Sequence, residues 1–184
     1  MVVLKKGSFS LDFAVLKLSG ELSEEDRQCA WELYTELSTR VAVTGKQQDP
    51  DCRNFDGEVY IESLASFYAF FQEARRIMRS FPVGRSFPVG RISKNKKAHL
   101  GVFINDLMQN VLRSFLEKWQ GDFRYWWEYR SNKELYPFDR QREYPKLKEF
   151  LSDWSDARYV LRQLQQELVT LYQLVDTTEK RSSK

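Results

Sequence analysis

Phe9, Leu11, Phe13 and Val15 alternate with Ser10, Asp12 and Ala14, the two-residue period of a strand that buries one face. Residues 9–18 therefore read as extended. Lys5, Lys6, Gly7 and Ser8 read as a turn that joins them to Val2–Leu4 in a hairpin, within an extended segment at 1–20. A two-stranded hairpin is marginal in water, so this one needs a helix or another chain beneath it.

The period then changes. Ser23 supplies an N-cap oxygen, and Glu24, Glu25 and Asp26 sit at the positive end of the helix that follows. Ala30, Leu33, Leu37 and Val41 recur three and four residues apart, which predicts a helix over 23–43 closed by Gly45. Residues 45–57 form a polar loop without a period. A second helix is predicted over 58–80 from Ile61, Leu64, Phe67 or Tyr68, Phe71, Ala74 and Met78, with Phe70 and Ile77 widening the stripe. The hexapeptide SFPVGR then occurs twice in tandem at 80–91. Each copy carries a proline and a glycine, so neither continues a helix. A duplication tolerated in a surface loop accounts for it.

A third helix is predicted over 98–120, with Leu100, Ile104, Leu107, Val111 and Phe115 on one face and Gly121 interrupting it. Residues 122–130 add a helical turn or two, and 131–143 read as a loop around Pro137. The last helix, over 144–176, carries Ala157, Leu161, Leu164, Leu168, Leu171 and Val175 in alternating steps of four and three. Residues 177–184 are polar and read as a disordered tail.

These segments specify a mainly α fold: an antiparallel bundle of four to five helices with a small N-terminal β-hairpin, in a single domain over 1–176. At 1.5 Å per residue the last helix is about 45–50 Å long, against about 33 Å for its neighbours. Its surplus apolar stripe requires a cover, supplied either by the first helix and hairpin or by a second chain.

Composition agrees with a folded domain: 184 residues, 42% hydrophobic and 30% charged. The apolar run Phe9–Leu18 is broken by Asp12 and Lys17, unlike a secretory leader. No stretch approaches the roughly 18 apolar residues of a membrane span. Cys29 and Cys52 are too few for a disulfide framework, so a cytoplasmic location without membrane contact is expected.

The net charge of +3 conceals an uneven distribution. Arg75, Arg76, Arg79, Arg85, Arg91, Lys94, Lys96 and Lys97 follow one another without an acid among them, leaving 21 bases against 26 acids elsewhere. Cations suit the C-terminal end of the second helix, and the next helix begins with free N–H groups that attract anions. Phosphate-backbone binding to nucleic acid is the physical reading of this segment, beside that of a solvated loop or a contact with an acidic protein.

Catalytic signatures are missing from the pattern. One histidine, His99, cannot supply the paired ligands of a di-iron bundle or of a zinc protease helix. No glycine loop for phosphates and no nucleophile elbow occurs. Carboxylate pairs such as Asp153 with Asp156, or Glu24 with Glu25, lie at helix starts or on solvated faces. Neither a catalytic residue, a metal nor a cofactor is therefore expected. A HEPN-like ribonuclease, which pairs an arginine with a nearby histidine, is the remotest reading. Arg91 and His99 have seven residues between them, more than that motif allows.

Aromatic residues are concentrated late in the chain. Trp119, Phe123, Tyr125, Trp126, Trp127 and Tyr129 are interleaved with Arg124 and Arg130. Tyr, Trp and Arg dominate protein-interface hot spots and can equally stack on unpaired bases, although such a cluster also seals the end of a bundle. Adjacent Trp126 and Trp127 cannot both point inward from one regular helix. The sequence thus predicts a non-enzymatic protein–protein interaction module, suited to an accessory component of a larger bacterial assembly. It is expected to form homo-oligomers or bind another protein. The predicted contacts are Phe123, Tyr125, Trp126, Trp127 and Tyr129 together with Leu164, Leu168 and Leu171 of the last helix.

Overall fold

The computed structural model describes residues 3–12, 24–46, 48–80 and 100–177. The fold is mainly α with a small antiparallel hairpin. Strands β1 (Val3–Lys6) and β2 (Phe9–Asp12) pair with Leu4 opposite Leu11 and Lys6 opposite Phe9. Phe9 and Leu11 enter the core while Ser10 and Asp12 are half-buried, which is the alternation read from the sequence. Gly7 in the turn has φ +59°, and a Cβ there would run into the Asp156 carboxyl group. Residues 13–23, including the rest of the expected strand and the Ser23 cap, lie outside the described residues.

The first predicted helix is two: α1 (Glu24–Thr39) and α2 (Val41–Thr44), broken by extended backbone at Arg40. The break has a use. It buries Ala42 and Val43 and turns the Ala42 carbonyl toward the last helix, where it accepts hydrogen bonds from Trp154 Nε1 at 3.1 Å and Arg158 Nε at 3.0 Å. Val41, placed in the stripe by its spacing, is exposed instead. Helix α3 (Tyr60–Ser80) has the expected extent, but its buried face is shifted: Phe70 and Ile77 join Leu64, Phe67 and Ala74 in the core, Ile61, Phe71 and Met78 are half-buried, and Tyr68 is exposed.

Gly121 does not interrupt the next helix. α4 (Leu100–Leu107), a π-helical stretch (Met108–Arg113) and α5 (Ser114–Tyr129) follow one another without a break. Buried pairs recur here as Phe103–Ile104, Leu107–Met108, Val111–Leu112 and Phe115–Leu116. On an ideal helix of 3.6 residues per turn, a repeat of four drifts by about 40° per pair. The wider π turn cancels that drift, so one strip of the helix keeps facing the core. Helix α6 (Pro137–Arg142) lies within the expected loop, with Pro137 at its first turn.

The last helix, α7 (Leu147–Tyr172), has 26 residues and is about 39 Å long. Gln173 closes it in the left-handed conformation at φ 52°, so Val175 lies beyond the helix and is exposed. The expected tail is anchored at its start. Tyr34 Oη donates to Asp176 Oδ1 at 3.0 Å and accepts the Thr177 N–H at 2.7 Å. α1 and both strands lie against α7, and Leu161, Leu164 and Leu168 are fully buried. The cover that the long stripe requires comes from the same chain.

Candidate protein-binding surface

The aromatic cluster divides by helix face. Phe123 is fully buried, with its ring 5.3 Å from Phe150 and 4.9 Å from Tyr144. Trp126 is also buried and stands 5.1 Å from Tyr144. Trp127 points sideways, as the adjacent tryptophans require, and is covered: the Arg140 guanidinium lies 3.8 Å over its ring. Arg140 also donates through Nη2 to the Trp127 carbonyl and through Nε to Ser131 Oγ at 2.6 Å. α6 therefore acts as a clasp over the end of α5.

Tyr125 and Tyr129 are left facing solvent. They are 53% and 70% exposed, their rings 5.4 Å apart, with the Arg130 guanidinium 5.8 Å from the Tyr125 ring. In the following loop Tyr136 is 65% exposed beside Phe138. Of the contacts put forward from sequence, Phe123, Trp126, Leu164 and Leu168 belong to the interior, and Trp127 and Leu171 are half-buried. The long heptad stripe is a core stripe, which removes it as a surface for a second chain.

The basic residues are brought together only in part. Arg75 is exposed, lies 5.9 Å over Phe71, and has no carboxylate partner among the described residues. Arg76 is held by Glu73 at 2.6 Å and Glu32 at 3.4 Å, and these acids raise its already high pKa. Arg79 is exposed. Arg85, Arg91, Lys94, Lys96, Lys97, His99 and the SFPVGR tandem lie outside the described residues.

The interior holds a polar network that sequence periodicity passed over. Arg158 Nη2 donates to Glu58 Oε1 at 2.9 Å and Oε2 at 2.7 Å, and its guanidinium lies 4.6 Å from the Phe55 ring. Burial pushes the Glu58 carboxyl up, and Arg158 and Ser63 pull it back. Gln141 accepts the Tyr60 N–H at 2.9 Å and donates to the Glu58 carbonyl at 2.8 Å. The available signal is Arg158 itself, four residues after Trp154 and three before Leu161 and so on the buried stripe, since an interior arginine requires a partner.

Other ionisable groups are similarly engaged. Asp153 accepts from Lys118 Nζ at 2.7 Å and Trp119 Nε1 at 3.0 Å, so it is a structural group and not one on a solvated face. Burial pushes Cys29 up to about 11. Burial also raises Cys52, despite Arg162 Nη1 at 3.3 Å from its sulfur. Both thiols are free and buried. Among the described residues no group of three or more His, Cys, Asp and Glu is arranged to hold a metal ion. No helix among them is long and apolar enough to cross a membrane.

A groove of about 480 Å³ runs between α3 and the π-helical stretch. Tyr68, Phe71 and Met78 of α3 line it opposite Met108 and Leu116, and Arg75 and Arg113 line it too. Comparison with protein-family models, curated proteins and solved structures finds no match to this chain.

Proposed function

We propose that the chain is a non-enzymatic protein-interaction module, an accessory subunit of a larger assembly, that presents the Tyr125–Tyr129 face of α5 to its partner. The observation that carries this reading is the exposure of two neighbouring tyrosines on a helix whose adjacent Phe123 and Trp126 are buried. Tyrosine covers a large contact area at little cost in side-chain entropy, and with arginine it dominates interface hot spots. Arg124 and Arg130 supply the polar rim. The rigid aromatic interior beneath holds the face in place, so little ordering is needed on binding.

Fluorescence-detected sedimentation of the labelled chain, alone and in an extract of its own cells, tests this reading. The wild type sediments in a species larger than the monomer in at least one condition. The Tyr125→Ala/Tyr129→Ala variant loses that species while its circular dichroism and melting temperature stay the same. A wild type that is monomeric throughout, or a complex that survives the double substitution, contradicts the reading.

A second reading rests on the cationic run from Arg75 to Lys97, eight bases without an acid: contact with a nucleic-acid backbone. Each phosphate neutralised releases counterions, so changing Lys94, Lys96 and Lys97 to Gln should weaken binding and flatten its salt dependence. Absence of DNA or RNA binding at low salt excludes this reading.

A further inference from the structure

We infer that the groove between α3 and the π-helical stretch is a docking site for an acidic amphipathic helix from a partner protein. The groove's walls are two helices. On one side its lining runs from Tyr68 to Met78, and on the other from Asn105 to Gln120. At 1.5 Å per residue these stretches measure about 15 and 22 Å, the length of a helix of three to four turns. A third helix seated there would lay apolar residues at positions i, i+3, i+4 and i+7 along the groove floor.

The floor has the chemistry for this. Two of the chain's three methionines, Met78 and Met108, line the groove beside Phe71 and Leu116. Methionine is flexible and polarizable, so it adapts to the side chains of a bound helix. The π turn forms one wall, and such turns recur at functional sites because they move side chains off the regular helical lattice.

Charge selects the occupant. Of the two arginines that line the groove, Arg113 is paired with Glu117 at 2.6 Å, but Arg75 has no carboxylate partner among the described residues. Arg79 follows one turn on and is also exposed. An incoming carboxylate completes Arg75, whereas a cationic segment is repelled. Residues 81–99 carry five bases and no acid, so charge disfavours that segment as occupant, and the chain's net charge of +3 disfavours a second copy. Neither Tyr125 nor Tyr129 lines this groove.

The test uses a fluorescein-labelled peptide of about 15 residues, with leucines at helical i, i+3, i+4 and i+7 spacing and glutamates elsewhere. Its controls are a scrambled peptide and one with lysines in place of the glutamates. Anisotropy should show the acidic helix binding the full-length protein and neither control doing so. Arg75→Glu should weaken that binding by about tenfold or more and confer binding of the lysine peptide, as reversal of an interface charge does. Phe71→Ala should also weaken it while keeping its helical circular dichroism at the assay temperature, although losing this ring's packing on the core lowers the melting temperature. The Lys94→Gln/Lys96→Gln/Lys97→Gln variant should keep it. Equal binding of the scrambled peptide, an unaffected Arg75→Glu variant, or loss of binding in the triple lysine variant each overturns the assignment. So does failure of the acidic peptide to bind.

Discussion

Glu58 and Arg158, separated by 100 residues in sequence, form a two-pronged ion pair in the interior with side chains 2% and 0% exposed. Arg158 Nε also binds the Ala42 carbonyl at 3.0 Å, and Nη1 reaches the Asn54 carbonyl at 3.4 Å. One side chain of α7 thus ties down α2 and the segment carrying Asn54 and Glu58.

Removing one member strands the other as a buried charge. Glu58→Leu is expected to cost about 3–5 kcal/mol in urea unfolding. Glu58→Leu combined with Arg158→Met should cost less than the sum of the two single changes, because no charge is left unpaired. Additive losses would show that the pair is not a coupled unit.

Gly45 and Gly121 should respond in opposite directions to alanine. Gly45 has φ +54°, and a Cβ there would stand 2.7 Å from Arg158 Nη1. Gly45→Ala therefore strains the backbone and displaces the buried guanidinium, at a cost of more than about 1 kcal/mol. Gly121 lies within α5 with nothing within 4 Å of an added Cβ. Gly121→Ala should stabilise by about 0.5–1 kcal/mol. Thermal melts of both variants check this contrast.

Asp122 gives a signed pH effect. It accepts a hydrogen bond from Tyr144 Oη and one from Lys146 Nζ at 3.1 Å, and the tyrosine, then the lysine, lower its pKa below 3.8. A depressed carboxylate adds stability above its unfolded pKa and loses it as pH falls through the folded value. The stability gap between wild type and Asp122→Asn should be full at pH 6 and shrink as pH drops below about 4. A constant gap across that range would contradict the assignment.

The apolar periods made the helices legible, because a core stripe needs only spacing and residue type. What spacing does not report is where a stripe finds its cover. Leu164 and Leu168 look alike in sequence whether a second chain or α1 lies on them, and the structure places α1 and the hairpin there. Gly121 reads as a break in the sequence because an interior glycine costs helix stability. The rings of Phe115, Trp119 and Phe123 on the buried face outweigh that cost. Trp126 and Trp127 did announce that one of them must leave the core. That Arg140 covers Trp127 depends on a turn thirteen residues on, which no local pattern encodes. The exposed Tyr125–Tyr129 face of α5 is half legible for the same reason: its residues stand out in the sequence, but their orientation does not.

Site-specific photo-cross-linking tests most directly the claim that this face meets a protein partner. A benzophenone amino acid would replace Tyr129, or the exposed Gln166 of α7 as control, in the full chain within its own cells. The account predicts one discrete protein adduct from position 129, lost on adding Tyr125→Ala, and none from position 166. No adduct from position 129, or the same adducts from both positions, would contradict it.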